Sequence, residues 1–227
     1  MTRPLVLKFG GELLEDPEHL ANVVNGIAAI RLEREALAER LVIVHGGGKE
    51  IDAALKTAGI EKKQVDGLRL TDDATLEVAV AVLAGAINTR FVAALNSAGV
   101  PAVGLTGADA RCGLSDAAPP HRAVDGRMVD LGRVGIPAAD ADAGLIETLA
   151  SAGYLPVVAC IGIGRDGRLL NVNADTLAGH LAARLGAARL VIAGATPGVL
   201  DKGGTTLTAL DASGLGGLVN DGTASAG

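Results

Sequence analysis

Residues 41–50, LVIVHGGGKE, constrain this chain more than any other stretch. An apolar run ends at His45 and three glycines, Gly46, Gly47 and Gly48, after which the apolar residues keep helical spacing. A buried strand thus delivers bare backbone amides to a helix N-terminus, a junction that binds anions. Consecutive glycines there also allow a close backbone approach that any Cβ would block. The device occurs twice, because the apolar residues 4–7 are followed by Lys8, Phe9, Gly10 and Gly11. Two glycine-rich strand ends, one of them bearing a lysine, predict a single phosphate-handling cleft.

With 49% hydrophobic and 20% charged residues, a chain of 227 can bury a large core, as one α/β domain or two joined lobes. Aromatics supply only 1% (Phe9, Phe91 and Tyr154), so the core is built from Leu, Val, Ile and Ala. That suits a parallel sheet covered by helices. A net charge of -6 argues against a nucleic-acid partner, because affinity for phosphate backbones needs clustered positive charge. Cys112 and Cys160 make no CxxC pair and read as packing residues in a reducing compartment. No basic-then-apolar leader precedes the first strand and no apolar run approaches the ~20 residues of a membrane span, so a cytoplasmic protein without a membrane partner is expected.

Along the chain, Asp16 and Pro17 read as a helix cap and first helical residue, followed by the stripe Leu20, Val23, Val24 and Ile27. Ile51, Ala54, Leu55 and Ala58 form a second stripe that Gly59 stops. Residues 62–69 predict a short extended piece with an Asp66-Gly67 turn. Thr71 then caps a long helix carrying Leu76, Val80, Leu83, Ile87 and Leu95, ended by Gly99. Buried strands are expected at 100–105 and 155–161, a hairpin around Asp125-Gly126, a helix over 143–152, a strand over 168–172, a helix over 174–186 and a strand over 190–193. Gly162, Gly164 and Gly167 match GxGxxG, but a turn and a strand follow where a dinucleotide fingerprint needs a helix.

Several residues could carry chemistry. Lys8 stands at the carboxyl edge of the sheet, where open α/β sheets bind ligands. The triple glycine is not a Walker A loop, since position 43 is isoleucine and Lys49 precedes Glu50. His45 reads as a strand-end residue bonded to backbone. Arg69, alone among apolar neighbours, either forks onto a substrate carboxylate or pairs with Asp66, Asp72 or Asp73. Asn171, Asn173 and Asp175 alternate onto one face as a polar row, for ligand binding or for capping the next helix. His19, His45, His121 and His180 are too scattered for a metal site.

Taken together, KFGGELL from Lys8, VHGGGKEID from Val44, DGLRLTD from Asp66, GYLPVVACIG from Gly153 and LLNVNADTLA from Leu169 resemble the amino-acid kinase family over essentially the whole chain. The resemblance implies a three-layer αβα sandwich with a mostly parallel open central sheet, as in carbamate kinase-like folds. It implies an N-lobe over residues 1–164 for the acyl acceptor and for dimerisation. A C-lobe over 165–227 would hold the nucleotide on the same continuous sheet, and by the resemblance it is expected to be C-terminally incomplete, without the helix that bears a second phosphate-binding lysine. The implied activity is ATP-dependent phosphorylation of the γ-carboxylate of N-acetyl-L-glutamate, a step of arginine biosynthesis, by a cytoplasmic homodimer. A carrier-linked aminoadipate or glutamate as acceptor, and a non-catalytic ligand-binding member of the fold, are the alternatives. By the resemblance Lys8 would stabilise the phosphoryl group in flight and Asp175 would orient it. Gly47 and Gly48 would offer amides to the acceptor and the transferring group, Gly10, Gly11 and Gly46 would hold phosphate, and Arg69 and Asn171 would hold the acceptor. Ala195, Thr196, Pro197, Gly198, Val199 and Leu200 would line the nucleotide site, with Ala195 where the family usually has an acidic residue. Mg²⁺ would arrive with ATP, held mainly by its phosphates, with no metal site on the protein.

Overall fold

The computed structural model describes residues 3–35, 40–196 and 198–220. β1 (Leu5–Phe9) leads through a 3-10 turn (Gly11–Leu13) into α1 (Pro17–Glu35), and β2 (Leu41–His45) into α2 (Gly48–Thr57). The hairpin of β3 (Gln64–Val65) and β4 (Leu68–Arg69) precedes a long helix made of α3 (Asp73–Val80), a π-helical segment (Ala81–Ile87) and α4 (Asn88–Ser97). β5 (Ala102–Thr106), β6 (Ser115–Ala117), β7 (His121–Arg122), β8 (Met128–Val129) and β9 (Val134–Pro137) follow. The chain continues through α5 (Gly144–Ser151), β10 (Leu155–Ala159), β11 (Ile161–Ile163), β12 (Leu169–Val172), α6 (Ala174–Arg184), β13 (Arg189–Ala193) and α7 (Ala212–Asn220).

The central sheet has the order β13-β1-β2-β10-β5, with every pairing parallel. Every residue of β2 and of β10 is buried, as in a sheet covered on both faces. α6 packs on β1, β2 and β13, α4 on β5 and β10, and α5 on β10 and β2. This is the expected αβα sandwich. Four helices end in the same way, because Gly59, Gly99, Gly153 and Gly186 have positive φ. The amides of Ile60, Val100, Tyr154 and Ala187 then reach back to the carbonyls of Leu55, Leu95, Leu149 and Ala182 at 2.8–3.0 Å, the Schellman closure.

The central sheet takes strands from both sides of residue 164, since β13 pairs parallel with β1. The turn at Gly164 and Gly167 folds the chain back on itself, so β12 pairs antiparallel with β11 and joins β9 and β6 in a second four-stranded sheet. Two expectations need correction. Thr71 does not cap the long helix; Asp72 does, its carboxylate accepting from Thr75 N–H at 2.8 Å, and Thr71 is buried in a bridge to Gly132. Finally, Asp73–Ser97 does reach the length and apolar composition of a membrane span. One face of it, formed by Ala79, Leu83, Ile87, Phe91 and Leu95, is buried in the main core.

The hairpin expected at Asp125-Gly126 forms from β7 and β8. It is tied to the β3–β4 turn through Asp66, whose carboxylate meets His121 Nε2 at 2.8 Å and accepts from Val124 N–H at 3.0 Å. Both cysteines are buried, which pushes the thiols of Cys112 and Cys160 up to about 12.

Candidate active site

Parallel pairing sets Lys8 beside Val44 and Phe9 beside His45, so β1 and β2 end at the same level. Gly46 N–H donates to Phe9 carbonyl at 3.1 Å, and beyond that bond the two glycine corners touch. A Cβ added to Gly11 would lie 2.5 Å from Gly47 Cα, and one added to Gly47 would overlap Ile87 Cδ1. At Gly11 glycine is therefore required by a backbone-to-backbone contact, whereas at Gly47 the neighbours are the side-chain ends of Ile87 and Leu83. The corners floor a cleft of about 350 Å³ lined by Lys8, Gly10, Gly11, Gly46, Gly47, Gly48, Arg69, Asn171, Asn173 and Asp175 among others.

The charged walls come from three elements. Lys8 Nζ is 3.0 Å from Asp175 Oδ1, which belongs to the first turn of α6. That oxygen makes no hydrogen bond, so the pair is an ion contact that leaves the ammonium able to turn to a ligand. Across the cleft Arg69 pairs with Asp52 of α2 at 2.5 Å and donates to Gly48 carbonyl at 3.3 Å. Asp52, rather than Asp66, Asp72 or Asp73, is the partner because α2 passes beneath the β3–β4 hairpin. Burial works against the Asp52 carboxylate, but hydrogen bonds from Lys62 and Arg69 hold it below the usual range. Arg69 Nη1 is buried and has no hydrogen-bond partner, a donor whose capacity is unused.

The polar row divides its work. Asn171 Nδ2 donates to Thr71 Oγ1 at 3.2 Å, whereas Asn173 caps α6 by accepting from the amides of Asp175 and Thr176. His45 is fully buried beneath the triple glycine, bonded to Gly46 carbonyl at 3.1 Å as the sequence predicts. Ala195, Thr196, Gly198, Val199 and Leu200 lie outside the residues lining the cleft. Ala195 N–H donates to Glu12 Oε1 at 3.0 Å, Thr196 and Gly198 follow exposed, and Val199 and Leu200 are exposed, the latter bridging to Thr206. Pro197 lies outside the described residues.

Sequence reasoning missed Glu12, Ile51, Leu68, Leu83, Val134 and Cys160 on the cleft wall, and Asp52 behind Arg69. Glu12 was within reach, standing directly after the first glycine pair. The others carry no local signal, since their position depends on tertiary packing. Among the described residues no group of His, Cys, Asp and Glu could hold a metal ion.

The arrangement has close counterparts. The family model for the amino acid kinase family matches residues 3–225. The acetylglutamate kinase of Novosphingobium aromaticivorans is 43% identical over 99% of this chain and 76% of its own length. That of Methanopyrus kandleri is 44% identical over 86% and 73%. Among solved structures, N-acetylglutamate synthase from Neisseria gonorrhoeae, complexed with coenzyme A and N-acetyl-glutamate, aligns with a TM-score of 0.72 and 26% identity over 89% of this chain and 44% of that one. Carbamate kinase from Giardia lamblia bound to AMP-PNP aligns at 0.64 and 18% over 99% and 84%, a likeness of fold. With two glycine corners, the Lys8–Asp175 pair and a family match that runs from end to end, the chain belongs to the amino acid kinase family.

Proposed function

We propose that the protein transfers the γ-phosphoryl group of ATP to the side-chain carboxylate of N-acetyl-L-glutamate, giving N-acetylglutamyl 5-phosphate for arginine biosynthesis. The observation that carries this is the pairing of Lys8 with Asp175 on one side of the glycine floor and an unsatisfied Arg69 Nη1 on the other. One wall suits a phosphoryl group and the other a carboxylate, and the relatives named for this reaction share the chain from end to end.

Chemically the step asks little of the protein beyond placement. The acceptor carboxylate, with an ordinary pKa of ~4.3, is ionised at neutral pH and needs no general base. Its oxygen forms the new bond to the γ-phosphorus as the bond to the β,γ-bridging oxygen breaks, and ADP leaves with that electron pair. Lys8, steadied by Asp175, neutralises the charge on the transferring oxygens. Gly10, Gly11 and Gly46 let the phosphates approach the backbone, while the amides of Gly47 and Gly48 face the reacting groups. Arg69 takes the acceptor's α-carboxylate and Asn171 its amide side.

The nucleotide enters from the side of Ala195, Thr196, Pro197, Gly198, Val199 and Leu200, with the exposed Val199 and Leu200 offering apolar surface to the base. Mg²⁺ would arrive with the nucleotide, held mainly by its phosphates. The enzyme works as a cytoplasmic homodimer, with residues 1–164 carrying the acceptor side and later residues the nucleotide side.

The test is an acceptor panel with MgATP and hydroxylamine to trap acyl phosphate. N-acetyl-L-glutamate should give the hydroxamate together with stoichiometric ADP. Trapping only with a carrier-linked glutamate or aminoadipate, or ligand binding without ADP release, would replace this reading.

A further inference from the structure

Beneath the glycine corner lies a polar cluster that the reaction does not touch. His45 and Asn88 are 0% and 5% exposed. Asn88 Nδ2 donates to Val157 carbonyl at 3.0 Å and faces His45 Nε2 at 3.0 Å. A carbonyl oxygen only accepts, which fixes the amide orientation, and an amide nitrogen only donates. His45 Nε2 is therefore the bare acceptor and the ring proton sits on Nδ1, which donates to Gly46 carbonyl at 3.1 Å. Burial lowers the ring's pKa to about 4, so it is neutral under ordinary conditions.

In a trans peptide the C=O and the following N–H point in opposite directions. With the Gly46 oxygen held to the ring below, the Gly47 N–H points away from it. Gly47 N–H has no hydrogen-bond partner among the described residues, and Gly47 lines the cleft. Asn88 begins α4 directly after the π-helical segment, whose Leu83 and Ile87 press on Gly47 from the other side.

We propose that His45, held in one tautomer by Asn88, is a positioning residue for phosphoryl transfer: it sets the Gly46–Gly47 peptide plane so that the Gly47 amide faces the transferring group. The inference rests on the phosphotransferase reading of the cleft. Asn88 fixes the proton on the ring, the ring fixes a carbonyl, and the carbonyl fixes the amide of the next residue.

Two variants separate positioning from packing. His45→Leu fills the space without a donor, and His45→Asn returns an N–H close to the former Nδ1. In His45→Leu, kcat should fall by about tenfold or more, with both KM values within about threefold of the parent, because an ångström of misplacement costs up to about a hundredfold. His45→Asn should recover at least about a third of the parental kcat. A smaller fall in His45→Leu, a change confined to KM, or no recovery in His45→Asn overturns the inference. Should His45→Leu fail to fold, ¹⁵N NMR of the imidazole in the intact enzyme decides. An Nδ1–H tautomer retained from about pH 6 to 8 sustains the inference, and an Nε2–H or mixed tautomer ends it. A parent enzyme without kinase activity would instead strike at the proposed function.

Discussion

Replacing Gly11 with alanine tests whether the two glycine corners form one working surface. The new Cβ would lie 2.5 Å from Gly47 Cα, a backbone atom that no rotamer change can move aside. Carbon atoms settle about 3.5–4.0 Å apart, so the strand ends must separate by about 1 Å or more. Overpacking of this kind costs about 1–3 kcal/mol, which for a domain of this size lowers Tm by roughly 2–12 °C. The larger effect falls on catalysis. In the proposed reaction Gly47 carries the amide that faces the reacting groups, and a shift of about 1 Å there should lower kcat about a hundredfold. Gly48→Ala is the control, because a Cβ there meets nothing within 4 Å and needs no positive φ. Its Tm should match the parent, and any loss should appear as a raised KM where acceptor fills the space. Trapped hydroxamate and calorimetry read both quantities. A Gly11→Ala enzyme with kcat within about threefold of the parent and an unchanged Tm would refute the contact as the organiser of the cleft.

Three other outcomes are expected. Lys8→Met should lower kcat by about a thousandfold with the fold intact by circular dichroism, since it removes the charge that we propose faces the transferring oxygens; near-parental turnover would displace Lys8 from that role. Arg69→Lys keeps the charge and loses the fork, so acceptor KM should rise about tenfold or more while kcat changes less, and an unchanged KM would place the acceptor elsewhere. His45 titrates near 6.5 in the unfolded chain but near about 4 in the fold, so its stabilisation is complete above pH ~6.5 and is lost as pH falls through that window. By about pH 5 this group alone should remove about 2 kcal/mol, and urea midpoints of His45→Asn should lack that component; equal pH slopes in both proteins would contradict the buried neutral ring.

Much of this was legible in the sequence because local rules agree with the tertiary outcome. Asp16 accepts from the Glu18 and His19 amides as a cap should, and the four stop glycines adopt the conformation that their positions imply. Lys8 and the glycines were legible for the same reason, since a strand end and its turn are a short-range pattern. Asp52 as the partner of Arg69 was not, because that pair depends on how α2 lies under a hairpin, and three nearer aspartates compete for the same reading. Asp72 displaced Thr71 as the cap because Thr71 is drawn into a buried bridge with Gly132. The second sheet was missed for a similar cause: strand periodicity at 168–172 says nothing about which neighbour the strand will choose.

The π-helical segment Ala81–Ile87 is the one stretch of its helix wide enough to absorb a change of length. A residue removed from it would let the wider turns tighten to α, in which each residue turns further, about 100°, so that the rotation lost with the residue is largely made up. Phe91 and Leu95 would keep facing the core and Asn88 would keep facing His45. A residue removed from α3 instead, with no wide turn to take up the difference, would rotate everything beyond it by about 100° and pull Asn88 away from the ring. Across lineages of this fold, gaps in this helix should therefore fall within the π segment and not in the α stretches that flank it.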